Sequence, residues 1–144
     1  MTEPALSRRR VLAVGAVGGL SLPVLTACGP GSQTGGGETG ATAGAVLVAT
    51  AKVPVGGGVI LAEQNVVVTQ PAKGTFNGFS ATCTHQGCIL ATVAAGTINC
   101  GCHGSQFSIT DGSNVTGPSG SAAGSVPPLP KVGIKVKGAN IVSG

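Results

Sequence analysis

Four of the five cysteines and both histidines of this 144-residue chain fall in two six-residue segments. These are Cys83-Thr84-His85-Gln86-Gly87-Cys88 and Cys100-Gly101-Cys102-His103-Gly104-Ser105. Using every imidazole and nearly every thiol within two dozen positions is poor economy for packing and good economy for a metal. The ligand candidates are Cys83 and His85 in the first segment, and Cys100 with either Cys102 or His103 in the second. A C-x-H pair and a C-x-x-H pair together supply two thiolates and two imidazoles. Zinc accepts that set as readily as iron does, so the donors alone leave the metal open. Cys88 and Cys102 are left beside the site.

The rest of the composition favours a small fold that needs such a staple. Three Phe are the only aromatic residues, Gly accounts for 26 positions, and 8% of residues are charged. A chain this short of large apolar side chains builds a modest core, and small cores lean on disulfides or metals. The length suits one domain with appendages. The formal charge of +4 overstates the mature protein, since Arg8, Arg9 and Arg10 supply three of the positives. Residues 28–144 keep five Lys against Glu38, Glu63 and Asp111. No basic stripe is interleaved with aromatics, which argues against nucleic-acid binding.

The first residues read as an address. Arg8, Arg9 and Arg10 precede an apolar run over residues 11–27 that Pro23 interrupts and that is short for a membrane span. Leu25-Thr26-Ala27-Cys28 resembles a bacterial lipobox, with Cys28 the residue that receives lipid. The expectation is a twin-arginine lipoprotein signal over 1–27, then Cys28 and a Gly-rich tether over 28–45, then the functional domain over 46–144. A flexible tether of that length reaches roughly 20–25 Å on average. The twin-arginine route carries folded proteins, which suits a domain that must acquire a cofactor before export. Outside the cytosol a disulfide persists. The expected location is the extracytoplasmic face of the cell membrane, with membrane contact through the lipid.

From residue 46 onward short β-rich runs alternate with Gly and Pro punctuation. Strands are expected at 46–53, 58–61, 65–69, 75–81, 89–92, 97–99, 106–109, 132–136 and 140–142. Consecutive apolar positions such as Val66-Val67-Val68 imply burial on both faces of a sandwich or small barrel. No segment beyond Cys28 has helical period, so the fold class is all-β, with both Cys–His segments on loops.

The two segments closely resemble the boxes of Rieske iron–sulfur proteins, usually CTHxGC and CPCHGS. The likeness spans about residues 46–144 and is most specific in the boxes. It implies an antiparallel β-sandwich or barrel carrying a two-loop subdomain that binds one [2Fe-2S] cluster. On this likeness Cys83 and Cys100 bind one iron, His85 and His103 the other, and Cys88 and Cys102 form a disulfide between the loops. That disulfide marks the respiratory rather than the oxygenase-associated type.

The resemblance also assigns neighbours of the cluster. Ser105 matches a serine whose hydroxyl donates to a bridging sulfide and raises the potential. A turn serine is the plainer alternative. Phe107 stands where high-potential members carry a tyrosine that donates to a ligand sulfur, so a lower potential is expected here. Gly87 and Gly104 allow tight turns with free backbone N–H groups facing sulfur. Gly101 replaces the usual proline. Gly117-Pro118-Ser119 and Pro127, Pro128 and Pro130 resemble the proline loop that covers the cluster, with residues 120–126 departing from its compact form.

Charge explains the value of mixed ligation. Two ferric ions, two sulfides and two thiolates sum to zero when the other ligands are neutral imidazoles, and an electron enters a neutral cluster more easily than an anionic one. Reduction places negative charge beside the imidazoles, so electron and proton uptake are coupled and the potential falls as pH rises. An oxygenase needs a second iron with further His and carboxylate ligands, and both histidines are already committed. The expectation is a one-electron carrier without a substrate site of its own, handing electrons to a redox partner. The partner is a cytochrome, a quinol-oxidising complex or another oxidoreductase. Two alternatives stand beside a free-standing carrier: a subunit of a cytochrome bc-type or other oxidoreductase complex, and more remotely a structural zinc lipoprotein.

Overall fold

The structure, a computed structural model, describes residues 42–144. The expected signal, Cys28 and most of the tether lie outside the described residues. Among the described residues no helix is long and apolar enough to cross a membrane.

Ten strands make three antiparallel sheets. The first orders β1 (Val46–Ala49), β10 (Asn140–Ser143) and β9 (Ile134–Lys137) side by side. The second holds β2 (Gly57–Leu61), β3 (Val66–Ala72) and β4 (Thr75–Ser80). The third runs β5 (Thr92–Ala94), β6 (Thr97–Asn99), β7 (Gln106–Ser108) and β8 (Asn114–Thr116). The only helical turns described are three-residue 3-10 turns, at Thr50–Lys52, Ala62–Gln64 and Pro118–Gly120.

β3 shows why its apolar run is continuous. Side chains alternate across a strand, so Val66 and Val68 enter one core with Val53 and Ile141, while Val67 enters a second with Phe79. All three valines are fully buried, each worth about 1.5–3 kcal/mol against exposure. The middle sheet is thus a central layer. One face packs on the β1-β10-β9 sheet through Leu47, Val48, Phe76 and Ile134. The other packs on Ile98, Phe107, Cys83, Cys100 and Leu129, which carry the Cys–His loops. Gly78 on β4 lets the layers close: a Cβ there would stand 2.5 Å from the Val132 carbonyl oxygen.

Several expected boundaries move. The first strand stops at Ala49 because Thr50–Lys52 turns, with the Thr50 N–H donating to the Ala139 carbonyl at 2.9 Å. The run at 89–92 is not a strand: Ile89 makes a lone bridge to Thr82, and pairing begins at Thr92. β8 was not expected, since its Asn-Val-Thr carries no apolar alternation. Its Asn114 side chain holds it by donating to the carbonyls of Gln106 and Thr116. The tether also ends earlier than 45. The Gly44 N–H donates to the Ser143 carbonyl at 2.9 Å and the Ala45 N–H to Ser143 Oγ at 3.0 Å, which pins residues 44–45 to the first sheet.

Candidate metal centre

The two Cys–His segments fold into one turn used twice. The first follows β4, and the second joins β6 to β7. In the first, the Cys83 N–H donates to the Cys88 carbonyl at 2.8 Å and the Gly87 N–H to the Cys83 carbonyl at 2.9 Å. In the second, the Cys100 N–H donates to Ser105 at 2.9 Å and the Gly104 N–H to Cys100 at 3.1 Å. Gly87 and Gly104 occupy the same place in each loop, with φ of +74° and +73°. A side chain in that left-handed conformation costs about 1–2 kcal/mol, which is why both segments carry glycine there.

Matched turns present matched cysteines. Cys83 and Cys100 are 2% and 4% exposed, are free thiols, and belong to the core that contains Phe107. Cys88 and Cys102 are joined by a disulfide that staples one loop to the other. Cys102 is thus spent on the staple, which leaves His103 as the candidate donor beside Cys100 in the second segment. The Cys88, Cys100 and Cys102 sulfurs lie within 4.8 Å of one another; the grouping reflects the disulfide passing beside Cys100 rather than a three-thiol metal site.

The imidazoles lie outside the thiols. His85 is half-buried and His103 exposed, with ring centroids 4.9 Å apart and planes nearly perpendicular. The centre is therefore polarised, with sulfur towards the core and nitrogen towards solvent. Burial pushes the Cys83 thiol above its ordinary value, and the neighbouring Cys100 adds to the rise. The backbone N–H groups of His85 and Gln86 point at the Cys83 sulfur and work in the opposite direction.

A loop from the end of β8 braces both turns. The Ser119 N–H donates to the His103 carbonyl at 2.7 Å, and the Thr84 hydroxyl donates to the Pro127 carbonyl at 2.6 Å. The residues between fold back: the Gly124 N–H donates to the Asn114 carbonyl at 3.1 Å, and Ser125 lies over Gly117. Residues 120–126 thus fold back between two anchored points, Ser119 and Pro127, each bonded to one of the turns. Sequence reading missed Thr84 and Ser119 as braces. Thr84 was visible inside the first box as a hydroxyl; Ser119 was visible only as part of the Gly117-Pro118-Ser119 likeness, and its φ of +53° could not be foreseen, because non-glycine residues seldom adopt that conformation.

Ser105 tests the fit of a cluster. Its side chain is 1% exposed and its hydroxyl has no hydrogen-bond partner among the protein atoms. A buried, unsatisfied hydroxyl costs about 1–3 kcal/mol and demands an acceptor. An inorganic sulfide beside Cys100 supplies one, whereas a zinc ion with four filled positions adds none. Two buried thiols, two outward imidazoles and an orphan donor suit a [2Fe-2S] cluster.

Comparisons agree. The sequence model of the Rieske [2Fe-2S] domain matches residues 45–132. This chain belongs to the Rieske [2Fe-2S] family, whose domain binds a [2Fe-2S] cluster for electron transfer.

A Haloferax mediterranei protein that carries the name of a Rieske subunit of respiratory nitrate reductase is 35% identical over 69 residues, or 48% of this chain. The match spans 30% of that relative's length. The plasma-membrane Rieske protein of Synechocystis is 30% identical, with 62% of this chain and 86% of that one covered at a TM-score of 0.48. The ferredoxin of carbazole 1,9a-dioxygenase from Nocardioides aromaticivorans is 18% identical, with 71% and 97% covered at a TM-score of 0.53, and shares the fold.

Proposed function

We propose that this protein is a one-electron carrier tethered by lipid at Cys28 to the extracytoplasmic face of the membrane, in which Cys83 and Cys100 hold one iron and His85 and His103 the other. The polarity of the centre carries this reading. A carrier must exchange electrons through a surface, and the histidine side is the exposed one.

The bound cluster supplies a site that takes up and releases one electron. The chain does the rest. Cys83 and Cys100 fix the inner end within the core, where water is excluded. The disulfide and the two loop braces hold the turns together, so little reorganisation accompanies electron transfer. His85 and His103 would each bind iron through one ring nitrogen and keep the other at the surface, where it can hydrogen-bond a partner. Ser105 stabilises negative charge that reduction adds, and Phe107 offers no donor where a tyrosine would.

Low-temperature EPR of the dithionite-reduced holoprotein tests the centre. A rhombic signal with average g below that of four-cysteine clusters is expected, and a colourless, silent protein retaining zinc would sink the reading. The tether is tested separately, by the mass of the mature N-terminal peptide: diacylglyceryl on Cys28 is expected, and a membrane-free protein with an unmodified cysteine would refute it.

A second reading, an electron-transfer subunit of another oxidoreductase, is favoured by the name of the Haloferax relative. Purification from native membranes separates the two: a stoichiometric larger subunit supports the complex, and isolation alone supports the free carrier.

A further inference from the structure

Positive charge is unevenly placed on this domain. The described residues carry five lysines, at 52, 73, 131, 135 and 137, against Glu63 and Asp111. One lysine lines, and two more flank, an open concavity of about 690 Å³ lined by Thr50, Val53, Gln70, Phe76 and Val136 among others. Lys73 lines it directly; Lys52 sits between Ala51 and Val53, and Lys137 between Val136 and Gly138, all four of which line it. Lys135 lies two residues from Lys137 on the same strand. Neither carboxylate lines the concavity. Glu63 is at the far end of the β2–β3 ladder, and Asp111 is engaged by the N–H and hydroxyl of Ser113.

The same region exposes apolar side chains. Val55 is 59% exposed and Val136 is 55% exposed, and both line the concavity. Lysines surrounding exposed valines form a surface that matches an anionic, partly apolar counterpart. The position relative to the metal centre is informative. Lys73 lies in the turn between β3 and β4, and the six residues of β4 lead from that turn to the first Cys–His loop. At about 3.3 Å per residue, β4 puts roughly 20 Å between this surface and the centre. It is therefore not the surface through which electrons leave.

We propose that the Lys52, Lys73 and Lys137 surface seats the domain on anionic lipid headgroups, with Val55 and Val136 at the boundary between headgroups and acyl chains. Charge complementarity selects the lipid, and continuity supports it: residues 44–45, which lead back towards Cys28, are bonded to the sheet that carries Lys135 and Lys137. Seated this way, the carrier presents His85 and His103 away from the membrane, towards a water-soluble partner. The physiological meaning rests on the tethered reading above, but the surface property does not.

The test uses the mature holoprotein with Cys28→Ser, which cannot receive lipid, in co-sedimentation with vesicles of phosphatidylcholine alone or with added phosphatidylglycerol. Binding is expected only with phosphatidylglycerol and is expected to fade as salt rises. Each lysine at such a surface contributes about fivefold in partitioning. Lys73→Gln should therefore weaken binding about fivefold, and the triple Lys52→Gln, Lys73→Gln, Lys137→Gln variant by on the order of 100-fold. Lys131→Gln makes the same charge change beside the first Cys–His loop, where Lys131 lines a hollow with Cys83 and Thr84, and should change little.

Equal binding to both vesicles, or equal losses from Lys73→Gln and Lys131→Gln, overturns the proposal. So does a Lys73→Gln variant that binds vesicles normally but loses affinity for an acidic protein partner. Lipidation is read separately from the N-terminus of the native protein, so an unmodified Cys28 there refutes the tether and leaves the seat standing.

Discussion

Removing the Ser105 hydroxyl should move two measurements in opposite directions. Without a cluster, the hydroxyl is buried at 1% exposure with no partner, a burden of about 1–3 kcal/mol. Ser105→Ala deletes that burden and leaves the loop closed, because the bond from the Cys100 N–H goes to the Ser105 backbone carbonyl. The cluster-free domain should therefore become more stable by about 1 kcal/mol, set between the unsatisfied-group cost and the small cavity left behind.

With the cluster bound, the hydroxyl would donate to an acceptor that gains negative charge on reduction. Hydrogen bonds to charged groups are worth about 1.5–3 kcal/mol and neutral ones about 0.5–1.5. The oxidised state thus loses less than the reduced state, by about 1 kcal/mol. For a one-electron couple a tenfold change is 59 mV, so the potential should fall by roughly 40–50 mV. Urea melts of the cluster-free protein and a potentiometric EPR titration of the holoprotein read the two effects. A potential unchanged within about 10 mV, together with a loss of cluster-free stability, would refute the reasoning and leave Ser105 a turn residue.

Other perturbations follow from the same geometry. Phe107→Tyr places a hydroxyl in the fully buried core beside Cys83 and Cys100; it should raise the potential, and an unchanged potential with a lower melting temperature would show that the hydroxyl finds no ligand sulfur. Cys88→Ser breaks a cross-link that spans 14 positions, and urea denaturation should register a loss of about 3 kcal/mol in the chain-entropy account.

Burial, reinforced by Cys100, raises the Cys83 thiol above its ordinary value of 9.0. The folded cluster-free state therefore keeps its proton longer than the unfolded chain. Its stability should be full below about pH 9 and decline as pH rises towards and through the raised value. Flat stability across that range would contradict the burial argument.

Much of the centre was legible before any fold was known. Cysteine and histidine are the residues that bind soft metals, so two short boxes offer the candidate donors, and glycine at the fifth place of each names the turn. Strand β3 was legible too, since an uninterrupted apolar run has few uses outside a layer covered on both faces. The edges were less so. β8 is held by an asparagine side chain rather than by apolar alternation, and the start of β5 depends on a lone bridge at Ile89 that redirects the chain.

What only tertiary structure decided is the pairing and the direction. The residue types alone left Cys102 and His103 as rivals for the second loop and only the family resemblance paired Cys102 with Cys88; the fold brings those two together from loops 14 residues apart. The bracing by Ser119 and Thr84, the burial of both thiols, the exposure of His103 and the orphaned Ser105 hydroxyl all depend on which surfaces meet. Local sequence carries propensity and chemistry, because these reside in each residue and its near neighbours. Burial and the approach of Lys73 to the segments that carry Lys52 and Lys137 arise only when the layers pack, since both are properties of what lies across the fold rather than along the chain.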